Sequence, residues 1–95
     1  MKIEEQVTLI EGTFSEIDAR DILLNIISTK IHFHSMKNFS AQERFGKEDA
    51  QSVKRMADLN HDFEKIKEIL DQAKATNLNL NIYSTIQISF SEKQK

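Results

Sequence analysis

Two histidines one residue apart, His32 and His34, are the first side chains in this sequence that could do chemistry. On an extended backbone an H-x-H pair points both imidazoles the same way, and the two can share a metal ion. At the end of a helix the same pair diverges by about 160°. No acid lies immediately beside them, and two ligands do not complete a site. His32 and His34 are therefore read as helix-end histidines near the last carbonyls and the negative end of the dipole. His61 adds nothing to them, because Asp62 is its chain neighbour rather than a residue on its own helical face.

Covalent and phosphate chemistry find less support. The chain has no cysteine, which removes thiolate nucleophiles, thiolate zinc sites and disulfides together. It has no Gly-rich phosphate loop, no G-x-S-x-G elbow and no H-E-x-x-H. Serines are plentiful, but none stands in a recognisable relation to a histidine and an acid. The expectation is a protein that is not an enzyme and carries no cofactor.

One segment could still bind an anion. Residues 30–55 carry six basic and three acidic side chains, whereas the overall net charge is −2. Within this stretch Lys37, Arg44, Lys47, Lys54 and Arg55 are interleaved with Phe39 and Phe45. Bases could stack on the rings while the cations meet phosphates. The competing reading is a loop over residues 35–47 whose rings turn inward and whose charges are its solvated outside. Such a loop is long for a helix–helix connection, usually about 2–8 residues. The local excess of charge falls short of a nucleic-acid footprint, so nucleic acid is disfavoured as a partner. Exposure of Phe39 and Phe45 would favour the ligand surface, and burial would favour the cap.

The elements that must position these groups are legible from periodicity. From Leu78 to Phe90 the even positions are apolar apart from Ser84 and the odd ones are mostly polar. Period two predicts a strand over 78–90 with one face on a core. Ser84, the polar residue on the apolar face, marks a place for a bend or bulge. Met56, Leu59, Phe63, Ile66, Leu70 and Ala73 alternate spacings of three and four, which predicts a helix over 48–75 capped by Asp49 or Ser52. Ser15, followed by acids at 16, 18 and 21, opens a second helical pattern over 16–34. Its apolar face is broad, as expected for contact with both a helix and a sheet. Residues 3–10 read as a strand despite poor alternation, and 91–95 as a tail.

Ninety-five residues fit a single domain, 1–95. The expected fold is α+β, in the order β-α-α-β, with an antiparallel helical hairpin packed on a small antiparallel sheet. The second strand would overhang the first by about five residues, leaving Ile86, Ile88 and Phe90 uncovered. The expectation is a homodimer in which these residues form the interface and complete the sheet. Function is accordingly expected to be a protein-interaction or assembly module. The alternative is a small phosphate- or nucleic-acid-binding domain using the 35–47 loop and the start of the second helix. With no long apolar run and no apolar core near residue 1, the expected location is cytoplasmic, away from membranes.

Overall fold

The computed structural model describes residues 4–93. Its order is β1 (Glu4–Phe14), α1 (Glu16–Phe45), α2 (Ala50–Thr76) and β2 (Leu80–Ser89). β1 and β2 form a two-stranded antiparallel ribbon, and α1 and α2 form an antiparallel hairpin. The class, α+β, and the order β-α-α-β are those the sequence predicts. Ile3, placed in the first strand by its pattern, and residues 94–95 of the tail lie outside the described residues.

Local chemistry explains each boundary. The Ser15 hydroxyl accepts a hydrogen bond from the Asp18 N–H and caps α1. Asp49 caps α2 by accepting from the Ser52 N–H. Each helix ends on a left-handed residue, Gly46 (φ 66°) and Asn77 (φ 56°), the two residue types that tolerate that backbone best. Arg20 donates to Glu16 on its own helix and to Asp71 on α2, tying the base of the hairpin across both helices.

The expected loop over 35–47 is not a loop. α1 runs on through Phe45, and only residues 46–49 connect the helices. The reason lies in a stripe that continues the helix–helix contact with polar members. His34 reaches Ser52, Asn38 reaches the Asp49 backbone, and Ala41 follows on the same face. The helix is held by partners that hydropathy does not register.

The expected overhang of β2 is absent as well. Pairing runs from Phe14 opposite Leu80 to Glu4 opposite Ser89, so Ile86 faces Val7 and Ile88 faces Glu5. One residue, Leu9, has no counterpart between Thr8 and Ile10. This bulge shifts the parity of β1: Phe14, Gly12 and Ile10 share the apolar face with Leu80, Ile82 and Ser84, and beyond it Val7 shares that face with Ile86. The irregularity expected at Ser84 thus exists at that level, but on the opposite strand.

The two layers meet only near their shared end. At about 1.5 Å per residue α1 is some 45 Å long, and the ribbon is about 35 Å at 3.3 Å per residue. Laid end to end they would span about 80 Å, whereas the molecule measures 52 × 37 × 15 Å. A ribbon folded flat along the hairpin would leave no dimension near 37 Å. The molecule is therefore an open angle, with the hairpin as one arm and the ribbon as the other. Its radius of gyration is 17.1 Å, against about 12 Å for a compact chain of this length. A single residue, Ser15, joins β1 to α1, which leaves no loop to reverse the chain over its own hairpin.

The core is correspondingly small. Ala19, Leu59, Leu70 and Ala73 are buried, together with Ser52. Leu59, Leu70 and Ala73 belong to the predicted stripe of α2, whereas Phe63 and Ile66 are only half-buried. No described helix is long and apolar enough to cross a membrane.

Candidate functional site

The densest polar cluster lies toward the closed end of the hairpin. The Asp49 N–H donates to Asn38 Oδ1 at 2.7 Å. The Asp49 carboxylate accepts from the Ser52 hydroxyl at 3.1 Å and from the Ser52 N–H at 3.4 Å. His34 Nδ1 stands 3.4 Å from Ser52 Oγ. The Ser52 hydroxyl is thus shared between the Asp49 carboxylate and the His34 ring. Lys37 Nζ is 3.9 Å from the same carboxylate.

This arrangement contains a serine, a histidine and an acid, which the sequence does not show as a group. Ser52 is 1% exposed. The network works as a clasp that holds α1 against the start of α2. Partial burial pushes the Asp49 carboxyl upward, but hydrogen bonds from the Ser52 N–H and hydroxyl, the charge of Lys37 and the Gln51 N–H outweigh it. The net result is a carboxyl held below its ordinary range.

The basic and aromatic residues singled out in the sequence do not form one surface. Lys37, Lys54 and Arg55 line a single open cleft of about 410 Å³ with His34, Ser52 and Asp58. Phe45 and Lys47 line a separate depression at the hairpin tip with Ala41, Glu48 and Asp49. Phe39 and Arg44 line neither, and at 100° per residue Phe39 lies about 160° around α1 from Lys37. Phe39 and Phe45 are both exposed, so they do not cap a core. Acids stand among the cations, Lys54 pairing with Asp58 at 3.5 Å. His32 lines the opposite side of the hairpin from His34, beside Ile31, Asn60 and Phe63. No group of three or more potential metal-ligating His, Cys, Asp or Glu side chains occurs among the described residues.

The larger feature is apolar. On the ribbon, Val7, Ile86 and Ile88 share one face, and all three are exposed, at 50%, 40% and 47%. Phe90, one residue beyond β2, is 65% exposed. Toward the base the same face becomes half-buried at Phe14, Ile10, Leu80 and Ile82, where the ribbon leaves the hairpin. The total accessible surface is 7972 Å², whereas a compact monomer of 11.0 kDa has about 5,600 Å².

Alternation makes the β2 half of this face legible in the sequence. The β1 half is obscured by the bulge at Leu9. Comparison of the chain with protein-family models, with curated proteins and with solved structures found no match.

Proposed function

We propose that this chain is a non-enzymatic assembly module that homodimerises through the apolar face of its ribbon, with Ile86, Ile88 and Phe90 at the contact. The supporting observation is the uncovered face itself. Val7, Ile86 and Ile88 are aligned on one side of a two-stranded sheet and each is 40–50% exposed. A two-stranded ribbon is marginal in water on its own, and three or more strands or a covering layer are generally required. The chain's own hairpin half-buries this face only toward its base, at Phe14, Ile10, Leu80 and Ile82. A second copy related by a two-fold axis supplies the identical face, and pairing of the outer strand edges would extend the sheet to four strands. Ile86, Ile88 and Phe90 are left accessible by this face rather than by an overhang of β2.

Sedimentation or light scattering at micromolar concentration tests this reading. The wild-type chain should be a dimer or larger, and Ile88→Lys should lower the mass by placing a charge in the contact. Gln87→Lys, one position along and on the opposite face, should leave the mass unchanged. A monomeric wild-type protein overturns the reading.

A further inference from the structure

The two edges of the ribbon differ in charge. β1 carries Glu4, Glu5 and Glu11 with no basic residue, and the bulge at Leu9 interrupts its ladder. Charged side chains and bulges are devices by which a strand edge resists pairing with another chain. β2 has neither: its residues pair without interruption, and no residue from 75 to 91 is charged. The same contrast holds where ribbon and hairpin meet. An open cleft of about 320 Å³ is lined by α2 and the start of β2, with Ile69, Leu78 and Leu80 as its large apolar members and no charged side chain. Ile69 and Leu78 are exposed, at 46% and 63%. A second cleft at this end of the hairpin is lined by Glu16, Asp18, Arg20, Asp21 and Lys74 instead.

The β2 edge also matches a copy of itself. Along its apolar face three large side chains precede Ser84 (Leu78, Leu80, Ile82) and three follow it (Ile86, Ile88, Phe90). Directly opposite residues of an antiparallel pair share a face, so a common apolar face requires even positions against even. A two-fold axis at Ser84 sets Leu80 opposite the partner's Ile88 and Ile82 opposite the partner's Ile86, each pair occurring twice. The polar residue of the face then meets only itself. An axis one position to either side would set Ser84 against an isoleucine. On the other face Asn81 meets the partner's Gln87 and Tyr83 meets the partner's Thr85, so no charge enters the contact. β1 against itself would gather three acids from each copy with no base among them.

We infer that β2 pairs antiparallel with β2 of a second copy about a two-fold axis at Ser84, in a four-stranded sheet of order β1-β2-β2-β1. This rests on the assembly reading above and gives it an edge and a register. Antiparallel pairing sets the outer end of each ribbon beside the base of the other. Ile88 and Phe90, exposed in the single chain, then come alongside the partner's Leu80 and Leu78, and the uncharged cleft at each base borders the uncovered end of the other ribbon. The acid-bearing, bulged β1 strands become the outer edges, so the sheet closes at two chains.

The chain has no cysteine, so an introduced cysteine reports which backbones are adjacent. Directly opposite Cα atoms are about 4.5–5.5 Å apart, within the ~4.4–6.8 Å that a disulfide spans. With oxidised glutathione, Ser84→Cys should become almost entirely a covalent dimer on a non-reducing gel, with helical circular dichroism retained. Asn81→Cys and Gln87→Cys should each stay uncrosslinked alone, because in this register like positions lie about 20 Å apart. Refolded together, they should cross-link to each other. A wild-type chain that sediments as a monomer overturns the assembly reading and this inference with it. A dimeric wild type whose Ser84→Cys variant does not cross-link overturns the β2 edge alone, leaving β1 edges or stacked faces as the contact. A cross-linked Ser84→Cys chain beside an uncrosslinked mixture of the other two would mean contact without a paired strand, and would overturn the register.

Discussion

Truncation of Leu70 is the sharpest probe of how this thin core holds. Leu70 is fully buried, on the α2 stripe that faces α1. Replacing it with alanine removes three carbons, worth about 2.4 kcal/mol at ~0.8 kcal/mol each. A residual cavity adds to this. Ala73 is one turn away on α2 and Ala19 lies at the same level on α1, and neither has the length to swing into the space. The total should be about 3 kcal/mol, inside the usual range for a buried leucine. With a urea dependence of about 1.5 kcal/mol/M, the midpoint should fall by about 2 M. Helical circular dichroism through a urea titration reads this directly, with protomer concentration held constant because self-association would contribute to stability. Ile17→Ala is the control: Ile17 is 76% exposed, and its loss should change stability by less than about 0.5 kcal/mol. A Leu70→Ala cost below about 1 kcal/mol would refute the assignment of the core to the base of the hairpin.

Further perturbations address the caps and the clasp. Gly46→Ala should cost about 1–2 kcal/mol in thermal or urea unfolding, purely from the left-handed backbone, because an added Cβ at this site meets no neighbouring atom. Ser52→Ala should cost about 1–3 kcal/mol by leaving the His34 and Asp49 groups without their shared partner, whereas Ser89→Ala at the ribbon end should be near neutral. Asp49 has a carboxyl held below its ordinary value of 3.8 in the folded chain. Its contribution is therefore complete above that value and is lost as pH falls through the lower folded value. Asp49→Asn should lessen the acid sensitivity of unfolding in that window, and an unchanged acid profile would refute the clasp.

The parts of this fold that the sequence displays are those whose partners are apolar. Leu78 to Phe90 alternates cleanly, and Leu59, Leu70 and Ala73 recur at helical spacing, so β2 and α2 are plain to read. Where the stabilising partners are polar, the pattern fails. His34, Asn38 and Ala41 keep the spacing of the α1 stripe, but hydropathy sees polar residues and exposed rings at Phe33 and Phe39, and the segment resembles a loop. The clasp is hidden for the same reason: Asn38 and Asp49 become neighbours only once α1 extends past residue 35. β1 is blurred by geometry instead, since one unpaired residue puts Val7 and Ile10 on the same side. The angle between ribbon and hairpin is not written in any periodicity. It follows from a joint one residue long.

The bulge at Leu9 also means that β1 carries one residue more than its ladder uses. Loss of that one codon would give an uninterrupted ladder that keeps every existing pair, with Val7 still opposite Ile86 and Ile10 still opposite Ser84. The apolar face would survive, and the strand would lose only its local kink. In descendants of this chain, loss of one residue should therefore be tolerated in the middle of β1 as well as in the 46–49 turn.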